Sequence, residues 1–111
     1  MTPKETLVAI LKTNNVPVDL ILNTDEVKPN TYITYQFYDE YGKDFADDEE
    51  TATAFLVQVN IFAKGSFTAL AKKVKDDLKA AGFARTTENE TYEPDTKLFH
   101  KILRFYYSIE N

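Results

Sequence analysis

The chain has 111 residues and a formal net charge of −5, from 18 acidic and 13 basic side chains, with seven Tyr, eight Phe, no Trp and no Cys. Its length is that of a single domain, residues 1–111, which can bury roughly two thirds of its unfolded surface without a disulfide or a metal. The lack of thiols excludes a disulfide framework, a thiolate metal site and a cysteine nucleophile. The acidic balance argues against a protein that wraps nucleic acid, and no apolar run approaches the ~20 residues of a membrane span.

The opening Met-Thr-Pro-Lys-Glu has no basic segment followed by an apolar stretch, so no signal peptide is expected, and synthesis in a reducing cytosol as a soluble protein fits. A first helix is well marked. Thr2 is a candidate N-cap, Pro3 suits the first helical position, and Glu5 stands at capping-box distance. Leu7, Ile10, Leu11 and Asn14 follow at helical spacing, and Asn14-Asn15 before Pro17 stops the helix. Val16 to Leu22 is a short apolar stretch of either type, and Asp25 to Asn30 reads as a loop.

Tyr32 to Tyr38 alternates as a strand, with Ile33, Tyr35 and Phe37 on one face and Tyr32, Thr34, Gln36 and Tyr38 on the other. Asp39 to Thr51 then reads as a long polar loop. It carries Asp39, Glu40, Asp44, Asp47, Asp48, Glu49 and Glu50 against the single Lys43, a net −6, so the rest of the chain sums to +1. Ala52 to Phe62 is the clearest strand: Phe55, Val57, Val59 and Ile61 alternate with Leu56, Gln58 and Asn60. Ser66 is positioned to cap a second helix from about Phe67 to Ala81, whose apolar stripe is Phe67, Leu70, Ala71, Val74 and Leu78. Gly82 stands where a left-handed residue ends it.

Phe83 to Thr91 reads as a polar edge strand, Glu93-Pro94-Asp95-Thr96 as a turn, and Lys97 to Ile109 as the last strand. That strand sets Phe99, Leu103, Phe105, Tyr107 and Ile109 against His100, Ile102, Arg104, Tyr106 and Ser108. The expected fold is α+β, a two-layer sandwich of about four mainly antiparallel strands with two helices packed on one face.

Two helices shield only one side of such a sheet, and the other should be solvated. The residues left on that other side are instead partly aromatic. Tyr32, Tyr38, Leu56, Phe62, Ile102, Arg104 and Tyr106 are therefore candidate oligomer-interface residues, since Tyr and Arg among apolar groups are typical of protein–protein contacts.

No catalytic, cofactor-binding or metal-ligating set emerges. His100 is the sole histidine, and no Ser–His–acid arrangement can be placed around it. Three glycines do not make a phosphate loop. The run Asp47-Asp48-Glu49-Glu50 lacks the alternating ligands and the turn glycine of a calcium loop.

Several ordered segments resemble one family. The strand Phe55-Leu56-Val57-Gln58-Val59-Asn60-Ile61-Phe62 leads into a helix ending Leu78-Lys79-Ala80-Ala81-Gly82-Phe83. There follow Tyr92-Glu93-Pro94-Asp95-Thr96-Lys97-Leu98-Phe99-His100-Lys101 and a closing Arg104-Phe105. Over about Tyr32 to Tyr107, with the opening helix, the chain resembles the tail terminator (tail completion) proteins of long-tailed bacteriophages and prophages.

The resemblance implies an α+β subunit of a hexameric ring that caps the tail tube, ends its polymerisation and offers the face that joins the head. It also implies a virion protein made in the host cytoplasm. Its partners would be other copies of itself, weakly held in free solution, the tail tube protein and head–tail connector proteins, with no membrane and no enzymatic activity. In that family the loop between the first two sheet strands, here Asp39 to Thr51, is mobile in the free subunit and lines the lumen of the ring.

Charge agrees with this. Six copies would bring about 36 negative charges near the axis, so DNA would pass the lumen without specific binding. Two unit charges ~10 Å apart in water repel by only about 0.4 kcal/mol, less with salt, but many such pairs would weaken self-association. Two other readings stand beside this one. One is a head–tail connector or head-closure protein of the same particle. The other is an acidic-loop binding module or inhibitor that mimics nucleic acid, although DNA mimics usually set their acids along helices and strands rather than in one loop.

Overall fold

The computed structural model describes residues 2–19, 30–46 and 49–110, with the side chains of all but 44–46 and 50. Its elements are α1 (Pro3–Lys12), β1 (Val18–Asp19), β2 (Thr31–Ala46), β3 (Glu49–Ala63), α2 (Thr68–Ala80), β4 (Ala84–Glu93) and β5 (Leu98–Glu110). The strands form one mixed sheet in the order β1-β2-β3-β5-β4. β1 is parallel to β2 and the other pairs are antiparallel. The sheet thus has five strands where about four were expected; the addition is the two-residue β1, too short to show a period.

The start of α1 forms as its sequence dictates. The Glu5 N–H donates to Thr2 Oγ1 at 3.1 Å and the Thr2 N–H donates to Glu5 Oε1 at 3.4 Å, the reciprocal capping box. Leu7 and Leu11, one turn apart, are fully buried. Asn15, at φ 58°, takes the chain out of the helix. Of the apolar stretch Val16–Leu22, residues 20–22 lie outside the described residues, as does most of the Asp25–Asn30 loop.

The end of α2 also follows the sequence. Gly82 adopts φ +98°, the Phe83 N–H reaches Leu78 O at 2.9 Å, and the Gly82 N–H reaches Lys79 O at 3.0 Å. This Schellman pairing needs the left-handed residue that glycine supplies. Its start departs from expectation. Phe67, not Ser66, occupies the cap position, and no side chain caps the helix. Phe67 instead packs against the core and lies 6.3 Å from the Phe99 ring, so apolar packing outweighs a side-chain cap here.

Both helices lie on one face. Leu7 and Leu11 of α1 and Ala71, Val74 and Leu78 of α2 pack with Ile33, Tyr35, Val57, Val59, Ile61, Leu103 and Phe105. Phe37 and Phe55 meet edge-on at 6.0 Å and are only partly buried, at the margin of the helix layer.

The expected loop over Asp39–Thr51 is overturned. β2 continues to Ala46 and β3 begins at Glu49, with backbone pairing out to Ala46↔Glu49. Asp39, Glu40 and Asp44 lie on β2, and Glu49 and Glu50 on β3; Asp47 and Asp48 lie outside the described residues. A bulge makes this register possible: Tyr38 and Asp39 together oppose Leu56, between Phe37↔Val57 and Glu40↔Phe55. β2's 16 residues, at about 3.4 Å each, account for the molecule's 53 Å length. The described part of the acidic segment thus belongs to the outer end of a long β2–β3 arm, which β5 flanks along β3 as far as Ala52.

Candidate functional site

Directly paired residues on antiparallel strands point to the same side. The register therefore sets the open face in rows: Tyr32–Phe62–His100–Thr91, Thr34–Asn60–Ile102–Asn89, Gln36–Gln58–Arg104–Thr87, and Tyr38/Asp39–Leu56–Tyr106–Ala84. All seven residues proposed for an interface, Tyr32, Tyr38, Leu56, Phe62, Ile102, Arg104 and Tyr106, fall on this one contiguous face.

They do not contribute alike. Tyr32 is only 2% exposed, so its ring stabilises the subunit and is not free to meet a partner. It stacks on Phe62 at 4.7 Å, and Phe62 stacks on His100 at 4.1 Å. Burial, with the Glu93 charge as a smaller cause, raises the Tyr32 hydroxyl above its ordinary pKa. At the other end Tyr38 and Tyr41 are exposed, and the Lys43 ammonium lies 5.4 Å from the centroid of the Tyr106 ring.

Between these aromatic ends runs a polar chain. Arg104 Nε donates to Gln58 Oε1 (3.1 Å), Gln58 Nε2 to Asn60 Oδ1 (2.9 Å), and Asn60 Nδ2 to Thr34 Oγ1 (3.1 Å). His100 Nε2 also meets Asn60 Oδ1 at 3.0 Å. That oxygen accepts, so Nε2 carries the proton and Nδ1 presents its lone pair to Glu93 Oε1, 3.9 Å away. Burial holds His100 below the ordinary histidine pKa, and Glu93 opposes this only in part.

Protonation of His100 is therefore disfavoured by folding. Its contribution to stability is complete above about pH 6.5 and declines as pH falls from there toward the lowered folded value. Urea midpoints measured between pH 7.5 and 5 are expected to fall on acidification in the native chain and to fall less in His100→Gln. Equal slopes in the two would show that His100 titrates normally.

A second charged cluster, on the helix side, was not legible in the sequence. Lys101 occupies an apolar position of β5 between Phe99 and Leu103, yet it is buried, 8% exposed. Its ammonium pairs with Glu88 at 3.2 Å and Glu90 at 3.7 Å, both on β4. Glu88 also pairs with Lys75 of α2 at 3.3 Å and Arg85 at 3.4 Å. These cations, the Lys101 hydrogen bond foremost, hold the Glu88 carboxyl below its ordinary pKa. Nothing in the local sequence signals this, because Glu88 reaches Lys101 only through the β4–β5 register.

Among the described residues no group of three His, Asp or Glu is arranged to hold a metal ion, and no helix is long and apolar enough to cross a membrane.

No protein-family model matches the chain, and no curated protein matches it in sequence. Among solved structures 18 chains match. One belongs to a structure described as the virion of native gene transfer agent (GTA) particle, with a TM-score of 0.58 and 14% identity over 95% of this chain and 84% of that one. At that identity the likeness is one of fold: almost the whole of this two-helix, five-strand architecture recurs in a chain of a virion particle.

Proposed function

We propose that this chain is a structural virion protein of phage-like particles, a subunit that closes into a ring at the end of a tail tube, stops its polymerisation and provides the head-joining face. One observation carries the reading: the fold is shared, nearly end to end, with a chain of a gene transfer agent virion. Two features support it. The sheet side away from the helices has exposed Tyr38 and Tyr41 beside half-buried Leu56, Tyr106 and Arg104, a surface suited to contact with other protein copies. The charge of the Asp39–Thr51 arm is suited to a lumen that must not retain DNA. The reading requires no chemistry; His100, bonded to Asn60 and stacked on Phe62, serves packing.

The experiment is to add the purified protein to polymerising tail tube protein and measure tube length by electron microscopy. Shorter tubes with a ring at one tip are expected, and unchanged length would end this reading. The similar chain belongs to a whole virion particle, so a head–tail connector draws on the same observation. A connector would bind portal or adaptor rings and ignore tube ends, and a pull-down against each separates the two.

An acidic decoy for DNA-binding proteins gains from one structural fact: Asp39, Glu40, Asp44, Glu49 and Glu50 lie along paired strands, so the expected confinement of the acids to a loop no longer counts against it. Neutralising Asp47, Asp48, Glu49 and Glu50 would abolish such inhibition, whereas in the ring reading it leaves assembly intact.

A further inference from the structure

The open sheet face carries few charges. Its three inner rows, those of Tyr32, Thr34 and Gln36, hold twelve residues, and Arg104 is the only Asp, Glu, Lys or Arg among them. Arg104 is half-buried, as are Ile102 and Tyr106 on either side of it along the same face of β5. Its Nε is held by Gln58. Among the described residues its two terminal nitrogens make no hydrogen bond and the side chain makes no ion pair. A guanidinium so placed offers a planar, two-pronged donor to a carboxylate.

The other side of the same sheet has the converse lack. At the outer end two rows, Glu40–Phe55–Tyr107 and Gly42–Thr53–Ile109, face the helix side. Phe55 and Tyr107 are only half-buried, Ile109 is 38% exposed, and Gly42 adds no side chain. Glu40 is the only charged residue in these two rows. It is exposed, and its carboxylate makes no ion pair among the described residues. A largely apolar surface with one acid is the counterpart of a face whose one arginine stands between Ile102 and Tyr106.

Glu40 and Arg104 cannot meet within one molecule. Glu40 is opposite Phe55 on β3 and Arg104 is opposite Gln58, and those two β3 residues point to opposite sides of the sheet.

We propose that the helix-side outer end of one copy stacks on the open sheet face of a second copy, with Glu40 of the first paired to Arg104 of the second. Stacked sheets lie about 10 Å apart, close enough for side chains of both to interdigitate. Phe55 and Ile109 then cover Ile102 and Tyr106, and the ion pair fixes the register of the two copies. The two patches lie on opposite sides of one sheet, so a single neighbour cannot occupy both. The contact is therefore heterologous, and repeated it closes a ring or continues as a filament. The inference rests on the ring reading above and names the partner of the open face within it.

The test is sedimentation velocity on the full chain at high concentration. Glu40→Arg and Arg104→Glu are each expected to weaken self-association at least about tenfold, since each sets like charges against one another in a contact. The chain carrying both reversals is expected to recover to within about threefold of the native chain, because every Arg at position 40 then meets a Glu at position 104. Circular dichroism checks that each variant stays folded. If Arg104→Glu does not, Glu40→Arg with Arg104→Gln replaces it and should associate more tightly than Glu40→Arg alone.

Single reversals that associate like the native chain, or a second substitution that recovers nothing, would overturn the proposal and leave the ring reading standing. Loss of tube-tip capture by Arg104→Glu, with native self-association, would assign the arginine to the tube protein and also overturn it. A native chain that forms no ring at any concentration, with or without tube ends, overturns both.

Discussion

Phe105→Ala is expected to lower the unfolding free energy by about 3–5 kcal/mol, the usual cost of removing a buried aromatic side chain and leaving a cavity. Phe105 lies on β5, the strand between β3 and β4, and is 1% exposed. Its register partners are Val57 on one side and Arg85 on the other, and its ring helps to line the α2–β4 cleft. A chain of 111 residues typically has about 5–15 kcal/mol to lose, so the change removes a large share of it. The expected fall in melting temperature is roughly 12–25 °C.

The control is Phe99→Ala on the same strand and the same side. Phe99 is 39% exposed, and its removal should cost only about 1 kcal/mol. Urea unfolding of both variants checks the pair. Equal losses would mean that the packing under α2 does not determine stability.

Glu88→Ala is expected to destabilise the chain by about 2 kcal/mol, while Lys101→Met is close to neutral. Glu88 neutralises the buried Lys101 from 3.2 Å, and without it only Glu90 remains, at 3.7 Å. Stranding a buried charge commonly costs roughly 3–5 kcal/mol, and the figure here is smaller because Glu88 is itself 27% exposed to water. Replacing Lys101 by Met removes the charge that needs a partner, and leaves Glu88 with Lys75 and Arg85 nearer the surface.

The asymmetry is the prediction; if Lys101→Met proves the worse of the two, the ion cluster is a net stabiliser. The Glu88 carboxyl titrates below its ordinary range, so its contribution is complete above about pH 4.5 and is lost as pH falls below that. The Glu88→Ala deficit should therefore shrink in acid, in a lower window than the one where His100 acts.

Much of the fold was legible in the residues alone, for reasons that are local. A capping box requires only Thr2, Pro3 and Glu5 in order. A left-handed helix stop requires a glycine at position 82. Alternation along β3 and β5 separates Val57, Val59, Ile61, Leu103 and Phe105 from Gln58, Asn60 and Arg104, because each side chain points opposite to its neighbour whatever the strand pairs with. The one-sided helix layer and the composition of the opposite face follow from that alternation.

What the residues could not disclose is whatever depends on a partner distant in sequence. The Asp39–Thr51 segment has a charged composition that reads as a loop, yet its described residues, 39–46 and 49–51, are strand, because cross-strand backbone bonds and a bulge at Tyr38–Asp39 support them in place of apolar packing. Tyr32 looked available to a partner and is enclosed, in a stack with Phe62 and His100 that arises only when three strands come into register. Lys101, a residue type that is normally solvated, is buried, because β4 carries Glu88 and Glu90 to it across the sheet edge. Local pattern specifies which way a side chain points; only the assembled sheet specifies what it meets there, and burial and charge pairing are properties of that meeting.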